Sequence, residues 1–401
     1  MKKVSFILAF LCALMTCPAF SLADNTVSLL TSGQALVGTH SQATIPFELV
    51  GHLIIVKAGV DGSKADYTFV LDTGSITAVS KKFASRLGLQ MEGSCSATGA
   101  TGAGSKVCLT RLKNLSLGGL EAGDVSAVVF NPHFSQRAGI RIDGFIGSNF
   151  LRFFKVRIDY SNKLLTLSRD TAPLAPVAGA TLVTIKEDWK NAFVPQVAIR
   201  CGNTGFAASI DTGLCDPMSL PAPFFDTTNI EAQLYGNGAM ASGNFGNLDK
   251  ARLVRLSDLS LGPLKIGKAV ATTQPGQTYA LIGYGLLSNF TVTIDYPSKQ
   301  MLLVPNHGGR PIDNIYSTGL ALGRDYAGKT VVTGVWKPSP AANMGLAPGD
   351  VITEIDGKPA DSYTLAGVQK LLFDTTVPTL KLSVQEPLGD KNFTIDKRYL
   401  F

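Results

Sequence analysis

The chain has 401 residues, more than one core usually organises at ~100–200 residues per domain, so two or three domains are expected. Hydrophobic residues make up 45% and charged residues only 16%, below the average of about 25%, which excludes a disordered or coiled-coil chain. The net charge of +6, from 36 basic and 30 acidic residues, is spread without a basic run, so no nucleic-acid partner is expected.

Lys2 and Lys3 precede an apolar stretch, Val4 to Met15. It has the length of an export-signal core and falls short of the ~20 residues a membrane-spanning helix needs. Ser21 and Ala23 bracket Leu22 and favour cleavage before Asp24. Residues 1–23 are therefore read as a signal peptide and 24–44 as an N-terminal segment. A periplasmic protein without a transmembrane span is expected, with secretion or a lipid anchor at Cys17 as lesser alternatives. Cys12 and Cys17 leave with the signal, and Cys95, Cys108, Cys201 and Cys215 remain. An even number in an exported chain predicts two disulfides with three possible connectivities. Cys95 and Cys108 flank the Gly-rich hairpin tip SATGATGAGSKV symmetrically and are the first candidates for a pair.

Self-comparison is the most informative step. VRIDYSNKLLTL at 156–167 and VTIDYPSKQMLL at 292–303 agree at six of twelve positions. Each lies downstream of an apolar-apolar-Gly element, Phe145-Ile146-Gly147 and Leu281-Ile282-Gly283, and the step from that Gly to the Asp of IDY is 12 residues both times. Upstream of each, a strand-like run ends in Asp-Thr-Gly, at Asp72 in TFVLDTGS and Asp211 in AASIDTGL. The steps from these Asp residues to the Gly are 75 and 72 residues, so one folding unit is written twice. Asp159 and Asp295 also recur, but each heads a strand hairpin and is given a structural role.

Short apolar runs punctuated by Gly, Asn and Asp predict mostly β structure, with one short helix over Lys81 to Leu87. The copies occupy 45–172 and 180–305, joined by the Pro-rich connector DTAPLAPVAGA. The remaining segment, 314–401, predicts a small α+β module with a helix around Thr364 to Phe373 and closing strands over Thr379 to Gln385 and Asn392 to Arg398.

Two carboxylates at about hydrogen-bond distance cannot both ionise, and they share a proton. One then takes a proton from water while the other gives one to a carbonyl oxygen, which is acid–base hydrolysis without a covalent intermediate. A duplicated fold brings one Asp from each copy to such a meeting point. Thr next to the Asp supplies a hydroxyl for neighbouring backbone, and Gly permits a tight loop whose amide approaches the carboxylate. Ser75 follows the first loop and is expected to favour the charged form of Asp72, whereas the second loop continues with Leu214.

The paired Asp-Thr-Gly loops with their apolar-apolar-Gly partners resemble the aspartic peptidases of the pepsin and retropepsin kind. The resemblance implies a mostly β fold of two β-barrel lobes, a duplicated retropepsin-like unit, around a substrate cleft. It implies Asp72 and Asp211 as the water-activating pair, Thr73 and Thr212 cross-bonding beneath it, and Gly74, Ser75 and Gly213 completing the loops. The hairpin around Cys95 to Cys108 takes the position of the substrate-covering flap, with Asn237 to Gly246 as its counterpart.

The C-terminal stretch SPAANMGLAPGDVITEIDG resembles a PDZ domain of the bacterial type. The resemblance implies that Ser317, Thr318, Gly319 and Leu320 form the loop that cradles a peptide carboxylate, so protein C-termini join protein or peptide substrates as expected partners. The apolar end Tyr399-Leu400-Phe401 is a candidate occupant of such a groove in another copy. No G-x-S-x-G, H-E-x-x-H, C-x-x-C or Walker loop occurs, and His40, His52, His133 and His307 stand apart. No serine triad, metal or cofactor is therefore expected. The sequence reads as an exported aspartic endopeptidase with a PDZ module; the alternative is a peptide-binding scaffold that kept the lobes without turnover.

Overall fold

The Val, Ile, Phe and Leu runs form strands, and the Gly, Asn and Asp positions between them reverse the chain. The computed structural model describes residues 5–6, 31–38, 40–63, 67–98, 104–130, 141–175, 177–187, 192–225, 230–238, 251–273, 277, 279–309, 312–325, 327–385 and 389–401. Apart from residues 5 and 6, the leader expected at 1–23 lies outside them, as do both flap tips.

In the first lobe the strands Leu53–Val60, Tyr67–Leu71, Gly144–Ile146, Ala78–Ser80, Leu120–Phe130, Gly104–Leu117 and Met91–Thr98 follow in hydrogen-bonded order. Gly104–Leu117 pairs back onto Leu53–Val60 and closes a barrel. The second lobe repeats the order with Gln196–Cys201, Thr204–Ile210, Ala280–Ile282, Met218–Ser219, Leu264–Thr273, Arg252–Leu261 and Ile230–Gly238. Here Arg252–Leu261 closes onto Gln196–Cys201. The helix Lys81–Leu87 forms where expected: the Ser80 hydroxyl accepts the Phe83 amide at its start, and Gly88 ends it at φ 63°.

The two IDY strands pair with each other across the lobes. Lys155–Asp159 runs antiparallel to Phe290–Asp295, with Val156 opposite Ile294, Arg157 opposite Thr293 and Ile158 opposite Val292. Equivalent positions exchange partners, so a local two-fold axis passes between Arg157 and Thr293. Leu164–Ser168 and Gln42–Pro46 extend this sheet on one side, and Gln300–Pro305 and Thr181–Lys186 on the other. Asp159 and Asp295 each accept a turn amide, from Asn162 and Ser298 at 3.0 Å, which is a structural role. A single apolar core runs through both lobes, and its fully buried side chains, Phe69, Phe150 and Ile294 among them, each contribute roughly 1.5–3 kcal/mol.

The disulfide expectation is corrected. Among the described residues no disulfide forms, and Cys108 is an unbridged, exposed thiol. The hairpin register sets Cys108 opposite Ser94 and Cys95 opposite Val107, so the two cysteines are one position out of step. Cys201 is buried and donates its thiol to the Ser257 carbonyl at 3.2 Å, while Cys215 is partly exposed.

In the C-terminal unit, Leu320–Arg324 and Thr330–Lys337 form a hairpin, and the helix Leu365–Phe373 begins at a Thr364 hydroxyl cap. Leu320, Val335, Ile355, Val368 and Leu382 belong to its separate core. Its strand Thr330–Lys337 also pairs with Ile230–Gly238 of the second lobe, Gly236 opposite Trp336 and Asn237 opposite Val335. Of the second flap counterpart expected at Asn237 to Gly246, only Asn237 and Gly238 lie among the described residues, and both pair with the C-terminal unit. The chain end is likewise docked on its own molecule, contrary to the expectation that it enters another copy. Leu400 donates its amide to the Ile315 carbonyl, Phe401 donates to Asn314 Oδ1, and both side chains pack against Leu234, Leu253 and Trp336. Removing Leu400 and Phe401 is expected to raise amide hydrogen exchange in Ile230–Gly238 and leave the Lys155–Asp159 strand unchanged, as peptide-resolved exchange measurements will show.

Candidate functional site

Each Asp-Thr-Gly loop follows a strand that lies parallel to the apolar-apolar-Gly strand of its own lobe, with Leu71 opposite Ile146 and Ile210 opposite Ile282. The Asp72 and Asp211 amides then donate to the Ile146 and Ile282 carbonyls, both at 2.9 Å. Gly147 and Gly283 allow this crossing: a Cβ on Gly147 would lie 2.2 Å from the Ile76 carbonyl carbon, and one on Gly283 2.4 Å from the Asp216 carbonyl oxygen. Apolar residues supply the strand and Gly supplies the clearance, which explains the recurring triplet.

The loops meet on the two-fold axis. Thr73 N donates to Thr212 Oγ1, and Thr212 N donates to Thr73 Oγ1, both at 3.1 Å. Each hydroxyl in turn donates across the axis, Thr73 to the Ile210 carbonyl at 2.8 Å and Thr212 to the Leu71 carbonyl at 2.9 Å. Both threonines are buried, so these groups have no water to replace a lost partner.

Above this bracket Asp72 and Asp211 are both buried and within hydrogen-bonding reach of each other. A Cβ on Gly74 would fall 2.4 Å from the Asp211 carboxyl carbon, so that carboxylate rests on the first loop. The Gly74 amide donates to Asp72 Oδ1 at 2.9 Å. Asp211 Oδ1 receives two amides, Gly213 at 2.8 Å and Leu214 at 3.1 Å. Burial pushes the Asp72 carboxyl above the ordinary carboxylate range, while the Gly74 amide, the Ser75 hydroxyl and Asp211 pull it back down. The Ser75 hydroxyl also lies 3.5 Å from the Asp72 carbonyl oxygen. Two acids placed this closely compete for a proton, a setting in which acid–base chemistry is possible.

Residues 56–150 match the aspartyl protease family, and residues 331–379 match the PDZ domain. The chain joins an aspartyl protease domain to a PDZ domain. No curated protein matches it. The protease match covers the first lobe; the second repeats its strand order, its Asp-Thr-Gly loop and its Gly crossing.

In the PDZ domain Ser317, Thr318, Gly319 and Leu320 form one loop, with Gly319 at φ 88° and its carbonyl accepting the Trp336 amide at 2.8 Å. Ser317, Thr318 and Leu320 are buried. The Gly319 amide donates to the Ser317 hydroxyl at 3.0 Å and the Leu320 amide to the Thr318 hydroxyl at 3.4 Å.

Three residues near the site were given no role in it from sequence. His52 is buried and its Nε2 lies 2.9 Å from the Gly213 carbonyl oxygen. Ser148 donates to the Thr73 carbonyl at 2.7 Å and contacts the Tyr296 hydroxyl at 2.9 Å. The lobes differ here: Tyr284 follows Gly283 where Ser148 follows Gly147, and packs edge-on to Tyr160 at 5.6 Å. The Tyr160 hydroxyl finds no hydrogen-bond partner among the described residues. Position in the repeat, one residue past the apolar-apolar-Gly element, was the available signal for Ser148.

Thr212→Val removes one hydroxyl that makes two cross-lobe bonds and strands the buried Thr73 amide. It is expected to lower unfolding free energy by roughly 1–3 kcal/mol in chemical denaturation. Burial lowers His52 from 6.5 to about 4, against the Gly213 hydrogen bond that raises it. Its folded pKa lies below the unfolded value, so the stability it contributes is complete above 6.5 and is lost as pH falls toward about 4. Asp216, pushed up to about 6 by burial against the Thr272 hydroxyl, works oppositely: its contribution is complete below 3.8 and lost as pH rises through about 6. Over that acidic window the stability difference between His52→Gln and the parent is expected to move in favour of Gln by up to about 3 kcal/mol, measurable by denaturation at several pH values.

Proposed function

We propose that this protein is an exported aspartic endopeptidase that works in the periplasm on protein substrates, with its PDZ domain recruiting or orienting them. The observation that carries the reading is the meeting of two Asp-Thr-Gly loops, one from each copy, on a shared hydrogen-bonded bracket with both carboxyls buried. A water between Asp72 and Asp211 gives a proton to the ionised carboxylate and attacks the peptide carbonyl carbon, while the protonated carboxyl donates to the carbonyl oxygen. The tetrahedral diol then collapses: one diol hydroxyl gives its proton to the ionised carboxylate as the C–N bond breaks, the protonated carboxyl gives its proton to the leaving nitrogen, and the dyad again holds one proton. No covalent acyl-enzyme forms, consistent with a sequence lacking a nucleophile motif.

Export is supported by Lys2 and Lys3 ahead of the apolar run and by the small residues around Leu22. Among the described residues no helix is long and apolar enough to cross a membrane. Recruitment is supported by the PDZ match and by the outermost position of strand Leu320–Arg324 in its sheet, where an extended peptide adds edge to edge.

Asp72→Asn and Asp211→Asn are each expected to cut hydrolysis of a denatured protein substrate by roughly a thousandfold while the fold is retained. Activity is expected to be bell-shaped in the acidic range, with its upper limb above the ordinary carboxylate range because burial makes Asp72 hold its proton. Undiminished cleavage by both Asn variants would refute the assignment.

A further inference from the structure

Each carboxylate is held by a peptide unit whose carbonyl is bonded, directly or through one further hydroxyl, to a residue of the other lobe. In the first lobe the Gly74 N–H donates to Asp72 Oδ1 at 2.9 Å, and the carbonyl of that same peptide, Thr73 O, accepts the Ser148 hydroxyl at 2.7 Å. Ser148 has one hydroxyl hydrogen and has spent it there, so its 2.9 Å contact with Tyr296 is donated by the tyrosine. Tyr296 belongs to the second copy. In the second lobe the Leu214 N–H donates to Asp211 Oδ1 at 3.1 Å, and the carbonyl of that peptide, Gly213 O, lies 2.9 Å from His52 Nε2. A carbonyl oxygen only accepts, so Nε2 carries the imidazole hydrogen. His52 belongs to the first copy.

Drawing on a peptide oxygen increases the double-bond character of its C–N bond and makes the attached N–H a stronger donor, so bonds in series through one peptide reinforce each other. We propose that His52 and the Tyr296–Ser148 pair are positioning residues that act through these two peptides, His52 steadying the charged form of Asp211 and Ser148 that of Asp72. The halves are unequal. Asp211 Oδ1 takes two amides, from Leu214 and from Gly213 at 2.8 Å, whereas Asp72 takes one amide, from Gly74, and the Ser75 hydroxyl. Two fixed amides outweigh one amide and a hydroxyl whose single hydrogen also faces the Asp72 carbonyl, so within this proposal the shared proton is assigned to Asp72 and the charge to Asp211. The other titratable groups facing this arrangement are Tyr284, whose ring lies 6.5 Å from that of His52, Tyr160 beside Tyr284, Glu187, whose charge acts on Tyr296, and Cys215 and Asp216 further along the same loop. Burial holds Tyr160 and Tyr296 protonated well above their ordinary range, so neither titrates with the dyad.

The proposal rests on the peptidase reading only for its kinetic readout. The full chain carrying ¹³C-carboxyl aspartate is titrated by NMR, with Asp72, Asp211 and Asp216 assigned through their Asn variants. His52→Leu is expected to raise the lower of the dyad's two steps, where the first proton leaves, by roughly half to one pH unit, and His52→Gln, which keeps an N–H donor, to restore it. Ser148→Ala is expected to raise the upper step instead. In the pH profile of kcat the acid limb follows the first variant and the alkaline limb the last, with KM little changed. A folded His52→Leu that leaves the lower step in place, or a His52→Gln that shifts it equally, overturns the His52 role. Should His52→Leu fail to fold, an unmoved upper step in Ser148→Ala overturns the relays. A parent protein that cleaves no substrate defeats the peptidase reading and leaves the titration to decide this one.

Discussion

The bracket of four hydrogen bonds between Thr73, Thr212 and the strands beneath them is the constraint on which the rest depends. Two carboxyls resist being brought together, and only a rigid, fully satisfied support keeps them within reach of one proton. The support is made of backbone amides and short hydroxyls, the groups least able to swing away. Its symmetry follows from the IDY strands, which pair about the same two-fold relation and join the lobes through a continuous apolar core.

Much of this was legible in the sequence because duplication writes the same constraint twice. Asp72 and Asp211, the Gly crossings at 147 and 283, the turn roles of Asp159 and Asp295 and the helix after the first loop all follow from residue types whose local chemistry is specific. What escaped depends on partners distant in the chain. His52 touches a backbone carbonyl at position 213, and a carbonyl leaves no signature in a sequence. Ser148 and Tyr296 differ from their equivalents Tyr284 and Tyr160 in what they bond, so here the repeat misleads. The cysteine pairing failed for a related reason: composition suggested a hairpin, yet a one-residue change in register moves a side chain to the other face of a strand.

The PDZ domain shows a second limit of motif reading. Its loop has Gly319 at positive φ, but Ser317 and Thr318 turn their hydroxyls onto the amides of Gly319 and Leu320. A ligand carboxylate at those amides competes with bonds the loop already makes, so affinity there is a difference between two sets of hydrogen bonds rather than a gain from empty donors.

The strand Thr330–Lys337 belongs at once to the PDZ domain and to the sheet of the second lobe. From the PDZ edge strand Leu320–Arg324, an unbroken backbone ladder runs through that lobe and across the molecule to Gln42–Pro46. A string-like linker would let a captured chain sample many approaches, with a local concentration set by linker length. A shared ladder instead carries its outer edge in one fixed direction, so the distance and angle between that edge and the two acids are properties of sheet curvature. Lengthening a loop elsewhere would leave them unchanged; a slip of register at Gly236 and Trp336 would alter both.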